Sequence, residues 1–380
     1  MANVLTDLAA DIYKAADVVG RELVGFIPSA TINANGVERA AKGDVVRAAF
    51  TRAATAVNVS ESMTIPEGTD QTVDNKTLSI TKARAVQIPY TGEDVLHLNN
   101  GIGFETVYGD QIAQAMRVLT NEMESDLATE AYQNASRAFG TAGTTPFGSN
   151  FSEVAEIRQI LVDNGMPTDN QVSLILNTLA GTNLRQLAQL QKANEAGGTD
   201  LLRQGTLLDL QGMMIKESAQ VKSHTKGTGA SYLLNDASAA IGDTTIAVDT
   251  GSGTILAGDI ITFNGDTNKY VVNTALSGGS LVIGATGLRT AVADDAAITV
   301  GNSYAANVAF HRRALELAVR APAVPQNGDI ADDALTVQDP ISGLVFEVRV
   351  YKGYRKTMIE VAASWGVKAW KSDFIAVLAG

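Results

Sequence analysis

The chain has no cysteine, only three histidines and no long apolar run. Without thiols it can form no disulfide, cysteine nucleophile or thiolate-bound metal site. His97, His224 and His311 lie in unrelated segments and lack the neighbours of a metal site or a catalytic triad. No run approaches the roughly 18 apolar residues of a membrane helix, and no secretory signal precedes the first helix pattern. The sequence therefore predicts no catalytic residue, no cofactor and no metal, in a protein made in a cytoplasm.

Positive charge is also scarce, because 29 Lys and Arg stand against 41 Asp and Glu, a formal net charge of −12. Proteins that grip nucleic acid do so with Lys and Arg that displace counterions from phosphates. This balance argues against DNA binding as the main task. The composition is 45% hydrophobic and 18% charged, as in globular proteins, and a chain this long has room for two or three compact units.

Motifs for nucleotide binding and hydrolysis are missing. There is no G-x-S-x-G, no G-x-x-x-x-G-K and no complete G-x-G-x-x-G, and GTGASY at 227–232 is interpreted as a linker. Glu122, Asp126 and Glu130 share one predicted helix face without a histidine nearby, so we interpret them as a solvated row or one that faces a basic partner. Trp365 and Trp370 stand in strand-like sequence and are interpreted as packing anchors.

Helical periodicity marks two segments. A stripe near the N-terminus predicts an amphipathic helix that lies on another surface as an arm; its residues are Leu5, Leu8, Ile12, Val19, Leu23 and Phe26. A second stripe predicts one unbroken helix from Asp110 to Phe139; its residues are Ile112, Met116, Leu119, Met123, Leu127 and Ala131. About 30 residues at ~1.5 Å each make a helix of about 45 Å, which indicates an elongated or plate-like subunit.

Alternation between the two helices predicts a projecting ribbon. From Val57 to Tyr90 the segments VNVSESMTI and LSITKARAVQI alternate around a polar middle, which indicates two strands of about ten residues, or ~30 Å. A hairpin that is so long and polar cannot bury itself in one small core. We expect it to pack on something outside the subunit.

The segments that follow mix helix and strand patterns. Asn150 and Glu153 have capping-box spacing before a helix that Gly165 ends. QVSLILN predicts a buried strand, NLRQLAQLQKA a helix, NEAGGTD a loop, and GTLLDLQGMMIKES turns and strands. The C-terminal LVFEVRVYKGYRKTMIEVAASWGVKAWKSDFIAVL predicts antiparallel strands around the polar turn KGYRK. Together the segments predict an α+β fold.

Residues 230–301 differ from the rest of the chain in their strand spacing, turn residues and charge. The candidate strands TTIAVD, DIITFN, KYVVNT, SLVIGA and AITVG are separated by Gly-, Asp- or Asn-containing turns, the spacing of a small barrel or sandwich. Seven Asp, no Glu, one Lys and one Arg give this block a net charge of −5. Its turns DTGSG and NGDTN lack the calcium-loop pattern. We interpret the block as a well-solvated all-β module with its own small core.

In the order and spacing of these segments the chain resembles the major capsid (coat) proteins of tailed bacteriophages, which have the Hong Kong 97-like fold, and most closely those with a β-rich insertion domain. The most specific pieces are GTLLDLQGMMIKES at 205–218, NVAFHRRALELAVRAP at 307–322 and SWGVKAWKSDFIAVL at 364–378. The resemblance implies the following division: 1–50 N-terminal arm and start of the peripheral domain, 51–100 extended loop ribbon, 101–145 spine helix, 146–228 central domain, 229–302 insertion domain, 303–335 second part of the central domain, and 336–380 C-terminal peripheral strands.

The resemblance also implies function and partners. Such a protein self-assembles as hexamers and pentamers into the icosahedral shell of a virion that encloses double-stranded DNA, and is assembled in the host cytoplasm. Its arm and extended loop would reach neighbouring subunits. A separate scaffolding protein is expected because Met1 leads directly into the arm. A portal protein and a decoration protein are further candidate partners, with non-specific DNA contact and no membrane. Lys76 and Lys82 lie in the ribbon where some relatives cross-link, but no motif identifies an acceptor, so no cross-link is expected.

Two alternatives remain open on the sequence. An encapsulin-like compartment would use the same architecture to enclose cargo protein in place of DNA. A surface-layer or adhesin-type protein would use similar Gly- and Asp-rich β sequence, and the missing secretion signal argues against it.

Overall fold

The computed structural model describes residues 5–51, 56–64, 73–94, 104–191, 209–236 and 239–380. Its helices are α1 (Leu5–Glu22), α2 (Phe104–Gln133), α3 (Ser152–Asp163), α4 (Thr178–Gln186) and α5 (Ala188–Gln191). Its strands are β1 (Thr31–Ala40), β2 (Val45–Thr51), β3 (Val73–Ser79), β4 (Lys82–Thr91), β5 (Arg137–Gly140), β6 (Val172–Leu176), β7 (Met214–Glu217), β8 (Ser223–His224), β9 (Tyr232–Leu234), β10 (Thr245–Asp249), β11 (Ile260–Phe263), β12 (Lys269–Ser277), β13 (Ser280–Ile283), β14 (Ala297–Val300), β15 (Tyr304–His311), β16 (Leu315–Pro322), β17 (Ala331–Gln338), β18 (Val345–Gly353), β19 (Lys356–Ala369) and β20 (Ile375–Ala379).

Within these residues, the first sheet has six strands built around β19. The predicted C-terminal hairpin is confirmed, because β18 and β19 pair antiparallel with Gly353 opposite Lys356. β4 runs along the other edge of β19, from Thr91 opposite Lys356 to Lys82 opposite Trp365. β16 pairs with the last residues of β19 and, in parallel, with β1, while β17 lies outside β18.

A second sheet continues from the body of the subunit into the 230–301 block. Its order among the described strands is β11-β14-β9-β10-β13-β12-β5-β20-β15-β6-β7, with β8 beside β15. All five strands predicted in the block are present as β10 to β14, and β9 is an additional one. The block has its own apolar core, which includes Leu234, Ile246, Phe263, Tyr270 and Ile283. It is nevertheless joined to the body, because β12 pairs with β5 through Lys269 and Tyr270.

The predicted long helix is present as the 30-residue α2, about 45 Å long. Every residue of its predicted stripe is buried to 1% exposure or less, and the stripe packs against residues of both sheets. The helix begins and ends six residues earlier than predicted. It stops at Gln133 because the backbone N–H of Ser136 already bonds to Ile375 O, where the chain turns into β5 beside β20.

The N-terminal helix is confirmed, but its apolar face lies on the chain's own body. Ile12, Ala15, Ala16 and Val19 are buried in the core that α2 and the first sheet also share. The prediction that this helix lies on another surface is therefore confirmed for its described apolar face, and that surface is the chain's own body. That the arm reaches neighbouring subunits stays a prediction. An amphipathic pattern shows which face of a helix is buried. It does not show which surface that face packs against.

The ribbon prediction is partly wrong. The described residues 56–64 contain no strand, and the hairpin pairs β2 with β3, from Val45 opposite Ser79 to Thr51 opposite Val73. The second predicted strand breaks at residues 80–81, because the N–H of Thr81 bonds to Trp365 O and β4 then joins the first sheet. The alternating polar pattern of β4 had suggested a free ribbon, whereas it marks a strand with one face toward solvent.

The remaining predictions have mixed outcomes. β6 is fully buried, α4 and α5 occupy NLRQLAQLQKA, and Gly165 at φ +81° ends α3. The predicted capping box is wrong, because the N-cap residue of α3 is Phe151 and no side chain caps the helix. Asn150 Oδ1 accepts from the N–H of Ser152, and the carboxylate of Glu153 accepts from the N–H of Phe147. NEAGGTD lies outside the described residues. The predicted boundary at 335 does not separate the sheets, since β15 and β20 lie in the second sheet and β16 and β19 in the first.

Candidate assembly surfaces

The two described histidines are buried, and each contacts an aspartate, which is buried in the case of Asp259 and exposed in the case of Asp169. His224 Nε2 lies 2.8 Å from Asp259 Oδ1, and His311 Nε2 lies 2.9 Å from Asp169 Oδ1. The N–H of Arg313 donates to His311 Nδ1, so Nε2 carries the proton that Asp169 accepts. His97 is outside the described residues. Within those residues no group of three or more His, Asp and Glu could hold a metal ion, and no helix has the length and hydropathy to cross a membrane.

The acidic row of α2 has its basic partner within the chain. Lys82 Nζ lies 2.9 Å from Glu122 Oε1 and 2.8 Å from Asp126 Oδ1, and Arg84 Nε lies 3.1 Å from Glu122. Glu130 accepts from the N–H of Ala369 at 3.0 Å. The interpretation as a solvated row is therefore wrong, and the basic partner is β4. Sequence spacing could not show this, because Lys82 is 40 residues from Glu122.

These contacts bear on the lysines considered for a cross-link. Burial lowers the pKa of Lys82, but the hydrogen bonds that its ammonium donates to Asp126 and Glu122 outweigh burial and raise the pKa above its usual value. The amine is therefore held protonated, and a protonated amine is not a nucleophile. Lys76 Nζ donates to Trp370 O at 3.5 Å.

Both tryptophans anchor the first sheet, as predicted. Trp365 is fully buried, and its Nε1 donates to Asp126 Oδ2 at 2.9 Å. Trp370 is partly buried and donates to Glu316 through Nε1. Asp126 thus contacts Lys82 and Trp365 at once, which ties α2 to two adjacent strands, β4 and β19.

A buried glutamate of α2 fixes the chain where it leaves α1. Glu124 accepts hydrogen bonds from the backbone N–H groups of Phe26 and Ile27 and from Ser218 Oγ. Burial raises the pKa of Glu124, and the three hydrogen bonds and nearby Lys216 oppose that rise. Sequence reasoning missed this residue, because nothing in its local pattern distinguishes it from the other acidic residues of the helix.

The 230–301 block is anchored to α2 by a second buried cluster. Asp259 is 1% exposed and accepts from the N–H groups of Gly227 and Leu256 as well as contacting His224. Tyr304 of β15 donates to the carbonyl of Gly258 at 2.6 Å. The ring of Tyr132, near the end of α2, lies 5.5 Å from the ring of His224. The block is therefore fixed to the body by satisfied polar contacts as well as by sheet pairing.

Residues 56–64 include the two most exposed large apolar side chains among the described residues, Val59 and Met63. Val57, Val59 and Met63 are 81%, 103% and 106% exposed, and Glu61 is exposed between them. In an extended segment, residues two apart point to the same side. Val57, Val59, Glu61 and Met63 would therefore share one face in an extended conformation.

A groove lies between the end of α1, β1 and the turn from β17 to β18. It has a volume of about 400 Å³, and its lining mixes polar groups with the apolar residues Leu23, Ile27, Ile32, Pro340 and Ile341. Arg312 also lines it, is exposed, and makes no salt bridge with any residue that the structure describes. The groove therefore combines apolar side chains, polar groups and one positive charge.

No protein-family model matches the chain, and no curated protein matches it. Among solved structures, the capsid of the cyanophage P-SCSP1u is 10% identical over 94% of this chain and 88% of its own, with a TM-score of 0.52. A structure from Mycobacterium phage Che8 is 14% identical over 89% and 85%, with a TM-score of 0.49, and the mature capsid of bacteriophage PhiM1 is 10% identical over 94% and 87%, with a TM-score of 0.48. Over nearly its whole length, then, the chain has the Hong Kong 97-like fold of phage capsid proteins.

Proposed function

We propose that the protein is a major capsid protein that self-assembles into the icosahedral head shell of a tailed phage around double-stranded DNA. The observation that carries this proposal is the fold, which is similar to that of the cyanophage capsid along 94% of the chain. One fold can serve many functions. The surfaces of this chain must therefore give evidence for assembly that does not depend on the fold.

Two features of the described residues support assembly. The segment 56–64 exposes three large apolar side chains, and such groups mark interaction sites when they cluster. The helix of about 45 Å and residues of both sheets share one apolar core, so the two sheets are held together along the helix. Contacts of micromolar strength, about −8 kcal/mol each, would lock a closed shell when repeated around every subunit and still allow misplaced subunits to leave.

The partners of such a shell are also proposals. They are a separate scaffolding protein, a portal protein at one vertex and, where the exterior is reinforced, a decoration protein. DNA would be contacted non-specifically. The net charge of −12 gives the chain no general attraction for phosphates. We retain the seven-part domain division as a proposal, with β16 assigned to the first sheet and β20 to the second.

The test is to produce the full chain together with its genomic neighbours and to image purified particles by electron microscopy. We expect closed icosahedral shells that contain nuclease-protected DNA. Closed shells that hold protein and no DNA would support the alternative of an encapsulin-like compartment. A failure to form any closed particle would refute both the phage capsid and the compartment. Production of the chain alone is expected to give polydisperse particles, so uniform shells from the chain alone would count against a separate scaffolding protein.

A further inference from the structure

Several asparagines of this chain are followed directly by a glycine, and the fold holds these pairs in different ways. In such a pair the glycine nitrogen can attack the side-chain carbonyl carbon of the asparagine. Glycine favours this step because it has no Cβ to obstruct the approach and its backbone rotates freely. The reaction requires a carboxamide and a glycine N–H that no other group holds. The asparagines are Asn35, Asn100, Asn164, Asn264 and Asn327, of which Asn100 lies outside the described residues.

Asn164 is held at both reacting groups. Its Nδ2 donates to Ser136 Oγ at 3.0 Å and to Asp373 O at 2.8 Å. The N–H of Gly165 donates to Val162 O at 2.9 Å, so the attacking nitrogen is engaged as well. Several hydrogen bonds would have to break before this asparagine could react, and breaking each one costs free energy.

Asn35 and Asn327 are each held at one of the two groups. Asn35 Oδ1 accepts from the N–H of Val37 at 3.0 Å, which fixes the carboxamide. The N–H of Gly328 donates to Pro325 O at 2.9 Å, which engages the nitrogen next to Asn327. At least one hydrogen bond must therefore break at each of these sites before the attack.

The pair in the turn between β11 and β12 is held at neither group. Asn264 and Gly265 are both exposed, and neither the carboxamide nor the glycine N–H makes a hydrogen bond with any residue that the structure describes. Gly265 has φ +91°, which glycine adopts without strain, and apart from its chain neighbours nothing lies within 4 Å of its Cβ position. The ends of the turn are fixed, because the N–H of Asn264 donates to Ala297 O and that of Asp266 to Phe263 O.

We propose that Asn264 is a site of self-modification that converts it to a carboxylate. Hydroxide removes the proton of the Gly265 nitrogen, which then attacks Cγ of Asn264. The new C–N bond closes a five-membered imide, while the Cγ–Nδ2 bond breaks and Nδ2 leaves as ammonia with a proton from water. Water then opens the imide at Cγ, which gives an aspartyl residue, or at the main-chain carbonyl, which gives an isoaspartyl residue. The net change consumes one water and releases one ammonia.

The product changes the strand that joins the inserted block to the body. A new carboxylate stands two residues from Asp266, which accepts from the hydroxyl of Tyr270 at 2.6 Å and from the N–H of Asn268 at 2.9 Å. The isoaspartyl form also adds a methylene to the backbone just before β12, whose Lys269 and Tyr270 pair with β5. The modification therefore alters charge and chain length at the junction of the block.

Peptide mass spectrometry of the full, unassembled chain tests the site. During incubation at mildly alkaline pH, conversion at Asn264 is expected to be at least about tenfold faster than at Asn327, the difference made by one hydrogen bond, and slowest of all at Asn164. The same chain in urea is the control, since without the fold all these Asn-Gly pairs should react at similar rates. Conversion at Asn264 in the folded chain that is no faster than at Asn164 would overturn the proposal.

A variant confirms which side chain reacts, because Asn268 and Asn273 lie close to Asn264 in the sequence. Asn264→Gln keeps an exposed carboxamide but would have to close a larger ring, so the conversion in this peptide should disappear; conversion that persists would assign it to another asparagine and overturn the proposal. The rate in the unaltered chain should rise about tenfold per pH unit, because the attacking nitrogen must lose its proton. None of these results depends on whether shells form, so they are independent of the proposed function.

Discussion

At the scale of single residues, the body is held by a few side chains that each join distant parts of the sequence. Asp126 receives the indole N–H of Trp365 and the ammonium of Lys82. Glu124 receives two backbone N–H groups at the end of α1. Sequence periodicity identified the apolar stripe of α2 and both tryptophan anchors. It could not assign these polar contacts, because their partners are up to 239 residues apart.

Trp365→Phe is expected to lower the free energy of unfolding of the subunit by about 1–2 kcal/mol. The smaller ring leaves a cavity and Asp126 loses one donor, although the partial exposure of Asp126 lets water replace that donor. The measurement is urea unfolding of purified subunits. Tyr354→Phe, at a 90% exposed ring, is the control and should stay within about 0.5 kcal/mol of the unaltered chain. Equal effects of the two substitutions would contradict the anchor role of Trp365.

Glu124→Gln is expected to have a pH-dependent effect. The folded-state pKa of Glu124 is raised by burial, so the stability contributed by this titration is fully present below the ordinary glutamate pKa. It is lost as the pH rises through the higher folded-state pKa. Gln does not titrate, so the advantage of the unaltered chain over the variant should shrink as the pH rises from about 4 to about 8.

Urea unfolding of both proteins across that range gives the difference directly. Exposed Glu156→Gln is the control, and its difference from the unaltered chain should not depend on pH in the same way. An advantage for Glu124 that grows with pH would show that its hydrogen bonds outweigh burial and lower its pKa.

At the scale of elements, local patterns predicted which segments form helices and strands better than they predicted partners. The five strands of the inserted block and the β18–β19 hairpin follow from alternation and turn residues. The hairpin of β2 and β3 was missed, because the strongest alternation, VNVSESM, belongs to an exposed non-strand segment. Alternation records which side chains would face the same way in an extended segment, and an exposed segment can carry it without pairing as a strand.

The inserted block is predicted to depend on one buried carboxylate. Asp259→Ala removes the acceptor for His224 Nε2 and for the N–H groups of Gly227 and Leu256. Leaving these buried groups without a partner should cost roughly 3 kcal/mol. Hydrogen exchange should show faster opening at the junction of the block with β5 and β15. Asp249→Ala is the control, because Asp249 is the exposed last residue of β10 and its side chain accepts from Thr250 Oγ1; an equal loss would count against the anchor.

At the scale of the whole molecule, the contacts that hold the chain together are distinct from the apolar side chains that its described part leaves uncovered. The acidic row of α2, which the sequence left open for an external partner, is already paired with β4. The face of residues 56–64 is uncovered by the described part of its own chain. The order of segments was enough to identify the fold. The surface through which copies of the chain would contact each other could not be assigned in the same way. The sequence of one chain does not specify the relative positions of its copies.

Replacing Val57, Val59 and Met63 by serine is expected to block assembly and leave the subunit folded. The three side chains are 81–106% exposed, so the free energy of unfolding should change by no more than about 0.5 kcal/mol. Burying each in a subunit contact contributes about 1.5–3 kcal/mol, and every 1.4 kcal/mol is about tenfold in affinity. The subunit concentration for half-maximal assembly, measured by light scattering, should therefore rise at least about a hundredfold. Ser60→Asn with Ser62→Asn alters the other face of the same segment and should assemble normally; equal assembly of the two variants would mean that this apolar face forms no contact in the shell.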